Sequence, residues 1–157
     1  MSSTQPDPVE VVLAAFRAVE TRDRDALYAL YHPEVEFHEA PSLPYGGTYR
    51  GKDASRPPGE LAETWSSTWD PLQPTEVERS MGPRFVAARG EEVVVLWRQR
   101  AVAPSGERLD APVLGLYEVR DGMFARAQMF HFDTAAVVRF LATARRGVRR
   151  DADLAEG

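Results

Sequence analysis

Three strand-like stretches joined by two tight turns constrain the fold of this 157-residue chain most strongly. The first, 91–102, has the continuous apolar centre of a central strand. Two further candidate strands follow at 109–119 and 123–132. Pro104-Ser105-Gly106 separates the first two, and the hairpin signal Asp121-Gly122 separates the last two. The pattern predicts an antiparallel sheet made of strands that are consecutive in the chain.

Helical patterns dominate the first half. Asp7 and Pro8 are suited to cap and begin a first helix, whose apolar residues recur at helical spacing. A second helix is predicted over 23–31, and Pro33 ends it because the residue before a proline avoids the helical region. The alternating residues 35–39 then predict a short strand. The apolar face of the first helix comprises Val9, Val12, Leu13, Phe16 and Val19.

The middle of the chain alternates between loop and regular structure. Residues 40–51 are rich in proline and glycine and are predicted to form a loop. Residues 59–69 predict a third helix, because three large apolar residues fall on one stripe. Residues 75–81 and 84–89 are candidate strands around a Gly-Pro turn.

A final helix is predicted after the last strand. Asp133 or Thr134 can cap it, and Gly147 is expected to end it, because glycine is common just beyond helix ends. Its apolar face comprises Val137, Phe140, Leu141 and Ala144.

This order of elements predicts an α+β fold, in which N-terminal helices cover one face of a curved antiparallel sheet. No repeat or linker divides the chain, so we expect a single domain over 1–157. Its core should span about 8–144, and 145–157 should form a flexible, charged tail.

Composition excludes several classes of function. The net charge of −5 argues against a nucleic-acid partner. The absence of cysteine excludes disulfides and thiolate metal sites, and no HxH or HExxH motif suggests a metal. The first ten residues do not resemble a secretory signal, and no apolar run is long enough to span a membrane. We therefore expect a cytoplasmic protein without metal or cofactor.

Four short motifs carry a family resemblance. They are H-E-A-P at the end of the first strand, the Y-G-G-x-Y-R-G turn, the late D-G hairpin, and the F-H-F-D that follows it. With the order of elements, they resemble the nuclear transport factor 2-like superfamily, and within it the SnoaL-like proteins. The resemblance implies a cone-shaped fold with an apolar pocket, catalytic groups at strand ends, a small apolar ligand and a homodimer. This superfamily hosts isomerases, cyclases, dehydratases, epoxide hydrolases and binding modules.

The strongest candidate for chemistry is Glu39. Alternation places it on the core-facing side of its strand, where burial would raise its pKa towards neutrality and make it a usable base or acid. Tyr45, in the adjoining loop, could donate a hydrogen bond to a developing enolate. His38 and His131 are further catalytic candidates, and Asp110 is the weakest. The apolar residues expected to contact substrate are Phe37, Trp65, Trp69, Trp97, Val113 and Phe130.

With these residues, the SnoaL-like resemblance implies a cofactor-independent enzyme that removes a proton beside a carbonyl of an apolar substrate such as a polyketide. The outcome would be cyclisation, isomerisation or dehydration. The alternative is a ligand-binding or dimerisation module without chemistry, because the second acid of ketosteroid isomerase-like members is missing near Gly115. An epoxide hydrolase or epoxide-opening cyclase is disfavoured. Members similar to limonene epoxide hydrolase use an Asp–Arg–Asp set, but here Phe130 stands at the place of the aspartate in the last strand, and 96–98, where the Arg-x-Asp pair would fall, contains no aspartate.

Overall fold

The computed structural model describes residues 5–55 and 59–155. Five α-helices and six β-strands lie in these segments, with 3-10 turns at Lys52–Ser55 and Asp70–Leu72. In chain order they are α1 (Pro8–Glu20), α2 (Arg24–Leu30), β1 (Tyr31–Glu39), β2 (Gly47–Arg50), α3 (Glu60–Trp69), α4 (Glu76–Arg79), β3 (Arg84–Arg89), β4 (Glu92–Val102), β5 (Arg108–Arg120), β6 (Met123–His131) and α5 (Thr134–Ala155).

The six strands form one sheet in the order β2-β1-β6-β5-β4-β3. β3 to β6 pair with their chain neighbours in antiparallel fashion, as the turn signals predict. β1 joins parallel to β6 and carries β2 at the open edge. The predicted α+β architecture is therefore confirmed.

Helix α1 covers the inner face of the sheet. The Asp7 side chain caps it by accepting a hydrogen bond from the Val9 N–H at 2.8 Å. Phe16 projects from the helix onto the sheet, and its ring centre lies 6.1 Å from that of Trp97 and 5.7 Å from that of Tyr117, both at edge-on angles. This contact fixes the distance between helix and sheet at one end of the inner face.

Helix α5 packs over the other end. Its predicted apolar face is buried, together with Trp69 and Ala101. The prediction that Gly147 ends this helix is wrong, because the helix continues to Ala155. Gly147 does not adopt the left-handed conformation of a helix-ending glycine, and it packs against Pro104 instead. Flexibility of 145–157 stays a prediction.

Three other segment predictions need correction. Residues 75–81 are not a strand, because Thr75 and Glu78 form a capping box that starts the short helix α4. The predicted loop 40–51 contains β2, which completes the pairing of β1. β1 begins at Tyr31, earlier than predicted, and Pro33 lies within it at the irregularity where the register with β6 shifts between Tyr31 and Glu36.

The predicted Asp121-Gly122 turn is confirmed, since both residues have positive φ angles, 55° and 73°. No helix in the described ranges is long and apolar enough to cross a bilayer.

Candidate functional site

A cavity of about 330 Å³ lies between the inner face of the sheet and helices α1 to α3. Its wall is mainly apolar, and a small number of polar side chains point into it, as in ligand-binding pockets generally. Glu39, Tyr45 and His131, three of the predicted catalytic residues, line this cavity together. The fold therefore brings the carboxylate, a phenol and an imidazole to one enclosed space.

Glu39 is the last residue of β1 and stands opposite Gly47 of β2. Strand alternation gives it the same side as Val35 and Phe37, both buried. Its carboxylate forms no hydrogen bond or ion pair with any part of the chain that the structure describes. Burial raises the pKa of Glu39 to about 8. An acid with this pKa can both take up and release a proton near neutrality.

Tyr45 is held in the cavity wall by a compact loop. The Gly46 N–H donates to the Leu43 carbonyl at 2.8 Å, and a Cβ atom at Gly46 would lie only 2.4 Å from the Ala40 carbonyl oxygen. The Tyr45 hydroxyl accepts a hydrogen bond from Trp69 Nε1 at 3.0 Å. Burial, and then the charge of Glu39, raise the pKa of Tyr45. The phenol is therefore neutral and keeps its own proton for donation.

Two more tyrosines, both absent from the predicted set, face the carboxylate of Glu39. Tyr31 and Tyr117 line the cavity, and burial raises the pKa of each, with a further contribution from the charge of Glu39. Tyr117 lies across Gly115, where an added Cβ would come within 2.1 Å of the Tyr117 hydroxyl. A hydroxyl therefore occupies the region near Gly115 from which the resemblance implies an acidic partner.

His131 enters the cavity from the end of β6. The parallel register pairs His38 with Gln128, so Glu39 lies beside Met129, and His131 is the next residue along that face. Its Nδ1 is buried without a partner, and burial lowers the pKa of the imidazole. Because a buried unpaired N–H costs more than a buried lone pair, the neutral ring keeps its proton on Nε2.

Two predicted catalytic residues, His38 and Asp110, lie outside the cavity. His38 points to the outer face, where its Nε2 donates to Glu36 at 3.1 Å. Asp110 is also on the outer face and forms ion pairs with Arg98 at 2.5 Å and Arg100 at 3.3 Å. In both cases strict strand alternation decides the side.

The predicted substrate contacts divide into three groups. Phe37, Trp65 and Trp97 line the cavity. Trp69 is fully buried behind Tyr45, and Val113 is fully buried in the sheet beneath the cavity. Phe130 is 49% exposed on the outer face and does not line the cavity.

Gln99 and Arg22 also line the cavity but are absent from the predicted set. Gln99 is buried on the inner face of β4, where alternation with the buried Trp97 could have indicated it. Arg22 lies in the α1–α2 turn, for which the sequence offers no such signal. Within residues 5–55 and 59–155, histidine and acidic side chains do not cluster as a metal site would require.

Comparison with known proteins gives a family and a fold. A family model described as the SnoaL-like domain matches residues 12–127. A search of curated proteins finds no significant match. Among solved structures, TerC co-crystallized with polyporic acid is 21% identical, with a TM-score of 0.70, and the match covers 86% of this chain and 98% of TerC.

Two further structures share this fold. A nuclear transport factor 2-like protein of unknown function from Burkholderia pseudomallei K96243 is 21% identical, with a TM-score of 0.70, covering 85% of this chain and 96% of its own. A protein provisionally described as a polyketide cyclase, from Xanthomonas campestris pv. campestris, is 18% identical, with a TM-score of 0.63 and coverages of 88% and 99%. At these identities the likeness concerns the fold alone.

Proposed function

Because this chain belongs to the SnoaL-like family of nuclear transport factor 2-like proteins, we propose that it is a cofactor-independent enzyme acting on an apolar carbonyl compound. The observation that carries the proposal is the carboxylate of Glu39, which faces an apolar cavity without a partner in the described chain. Buried acids are uncommon unless they are paired. An unpaired one in a cavity is suited to acid–base chemistry.

In the proposed reaction, ionised Glu39 removes a proton from the carbon next to the substrate carbonyl. The electron pair of the broken C–H bond moves to the carbonyl oxygen, and an enolate forms. In a conjugated enolate, return of the proton from Glu39 to the γ-carbon gives isomerisation. Attack of the enolate carbon on a second carbonyl gives cyclisation, and the new alkoxide takes the proton from Glu39. Loss of a β-hydroxyl, which takes the proton from Glu39 and leaves as water, gives dehydration. All three outcomes share the first step, so Glu39 is required for each.

Neutral hydrogen-bond donors would stabilise the enolate oxygen. The Tyr45 hydroxyl accepts from Trp69, which leaves its own proton to be donated. Tyr117 and His131 also line the cavity. The Tyr117 hydroxyl donates to the Met129 sulfur at 3.6 Å and would exchange this weak acceptor for the enolate oxygen, and the Nε2–H of His131 would be a further donor. Donors in a site from which water is excluded stabilise a developing negative charge more than they would in water.

Deuterium exchange tests the shared first step without a known substrate. In D₂O, the wild-type protein should accelerate exchange at the benzylic α-carbon of 2-tetralone, followed by NMR. Glu39→Gln should slow this exchange by about 100-fold or more. The rate should rise with pH and level off above about 8, because only the ionised carboxylate is a base.

Glu36→Gln is the matched control, because Glu36 lies on the same strand but pairs with His38 and Arg50 on the outer face. It should retain the wild-type rate. Full exchange by a folded Glu39→Gln variant contradicts the proposal. Binding of 2-tetralone without exchange by the wild type favours the alternative of a binding module without chemistry.

The substrate class rests on two kinds of support. The cavity wall carries several aromatic rings, which suits a flat, apolar ligand. TerC was crystallised with polyporic acid, and another neighbour is provisionally described as a polyketide cyclase. We therefore propose a cyclic or aromatic ketone of polyketide type as the substrate.

A homodimer through the outer face of the sheet belongs to the same proposal. Leu96, Leu114 and Phe130 are register neighbours on that face, and the last two are 40% and 49% exposed. Phe130→Glu should convert a dimer to a monomer in sedimentation analysis. Val77→Glu, at an exposed position of α4, should not. A wild-type protein that sediments as a monomer contradicts this part of the proposal.

A further inference from the structure

The cavity opens to solvent beside the turn between α1 and α2. The side chains that line this end are exposed, 56% for Arg24 and 40% for Asp70, whereas Arg22 is only 23% exposed. The guanidinium of Arg22 lies 5.7 Å from the ring centre of Trp65, another lining residue. Arg22 is therefore a cation held against an aromatic wall of the cavity, just inside its mouth.

The backbone at Arg22 is one that favours glycine. Its φ angle is +59°, in the left-handed region. The Asp23 N–H donates to the Ala18 carbonyl and the Arg22 N–H to the Val19 carbonyl, a pattern that ends helices and usually places glycine at this position. A residue with a side chain costs about 1 kcal/mol or more here. The Arg22 side chain contributes one contact to this turn, because its Nη1 donates to the Val19 carbonyl at 3.0 Å. That contact does not account for the remaining N–H groups of the guanidinium, which lies at the cavity wall.

The charge of Arg22 is incompletely compensated. Its Nη2 donates to the neutral amide of Gln73 and lies 3.6 Å from Asp70. Arg24 approaches the same Asp70 carboxylate at 3.6 Å, so two guanidinium groups share one carboxylate. Asp25 also lines the mouth, but it is exposed and forms no ion pair with either arginine in the chain as described. Burial lowers the pKa of Arg22, although Asp70 opposes this.

We propose that Arg22 binds a carboxylate of the ligand at the cavity mouth, and that the ligand is accordingly an amphiphilic monoanion whose apolar body fills the interior. Nη1 of Arg22 donates to Val19 and Nη2 to Gln73. The Nε–H and the second Nη1–H remain as charge-assisted donors for a ligand carboxylate. The interior favours this orientation, because an ionised carboxylate there would lose its hydration against mainly apolar walls. This inference rests on the proposed function only in using the same cavity.

Two probes of equal shape and different charge test the assignment. 2-Naphthoate and 2-naphthamide carry the same ring system, and only the first is an anion at pH 7. By titration calorimetry, the wild type should bind 2-naphthoate at least 10-fold more tightly than 2-naphthamide. Arg22→Gly should weaken 2-naphthoate binding by at least 10-fold and 2-naphthamide binding by less than 2-fold. Arg22→Lys should fall between, because it keeps the charge but loses the planar fork.

Two control variants isolate the role of the Arg22 guanidinium. Asp121 is the other non-glycine residue with a left-handed backbone in the described chain. Asp121→Gly therefore removes the same kind of backbone strain at a position outside the cavity. It should leave the affinities for 2-naphthoate and 2-naphthamide unchanged. Glu39→Gln should abolish exchange on 2-tetralone yet keep the preference for 2-naphthoate, so the two proposals can fail separately. The inference is overturned if the wild type binds neither probe, binds both equally, or keeps its preference in Arg22→Gly.

Discussion

Replacement of Glu39 by glutamine should change how the stability of the protein depends on pH. Burial raises the pKa of this carboxyl from an ordinary 4.5 to about 8 in the folded state. The native state therefore holds the proton more tightly than the unfolded state does. The contribution of Glu39 to the free energy of unfolding is complete below pH 4.5 and is lost as the pH rises to about 8.

The size of this effect follows from the two pKa values. Each pH unit between them removes about 1.4 kcal/mol, so the full difference is about 5 kcal/mol, and about 3 kcal/mol of it falls between pH 5 and 7.5. Glutamine has nearly the same shape and does not titrate. The stability of Glu39→Gln relative to wild type should therefore rise by about 3 kcal/mol over that interval, and the variant should be the more stable protein at pH 7.5.

Urea unfolding at half-unit pH steps measures this difference directly, because other titrating groups contribute equally to both proteins and cancel. Glu34→Gln is the matched control, since it removes a carboxylate from the same strand that is 82% exposed to water. The burial argument predicts no comparable pH trend for it. If the Glu39→Gln difference varies by less than about 1 kcal/mol from pH 5 to 7.5, the carboxylate is not desolvated and the acid–base proposal loses its physical basis.

Three further changes test the packing around the site. Gly115→Ala should destabilise the protein by about 1–3 kcal/mol in urea unfolding, because the new methyl group overlaps the Tyr117 hydroxyl. In a Tyr117→Ala background, the same substitution should cost less. If the two substitutions have additive effects on the free energy of unfolding, the overlap is contradicted. Trp69→Phe should cost about 1 kcal/mol through the lost hydrogen bond to Tyr45, and it should cost less in a Tyr45→Phe background. Asp7→Ala should lower stability by about 1 kcal/mol through loss of the α1 cap, without affecting 2-tetralone exchange.

Elements with strong local signals could be predicted from the sequence. The Asp121-Gly122 turn needs positive φ at both positions, and the residue types alone indicate it. The strand predicted over 75–81 is wrong because apolar alternation over only a few residues is a weak signal. The capping box of Thr75 and Glu78 is a competing local signal in the same stretch, and it prevails.

Of the site residues, only those whose position follows from strand alternation could be predicted from the sequence. Alternation places Glu39 inward, and it also places His38 outward, so His38 would need a bulge before Pro41 to enter the cavity. Tyr31 escapes this reasoning because the predicted helix over 23–31 includes it, whereas β1 begins at Tyr31. Tyr117 could not be found in this way, because it approaches Glu39 through the parallel pairing of β1 with β6 and the antiparallel pairing of β6 with β5. The first of these pairings joins Phe37 to Ala127, which are far apart in the chain, and no local pattern encodes such a contact.

The substitution of a phenol for an acid near Gly115 has a chemical consequence for Glu39. A second carboxylate at that place would repel ionised Glu39, and the two groups would then titrate as a coupled pair. Tyr117 stays neutral throughout the range in which Glu39 ionises, because burial raises its own pKa. Burial alone is the cause of the raised pKa of Glu39. The exchange rate should therefore follow a single-proton curve centred near pH 8, and a two-step profile would indicate a second acid in the cavity.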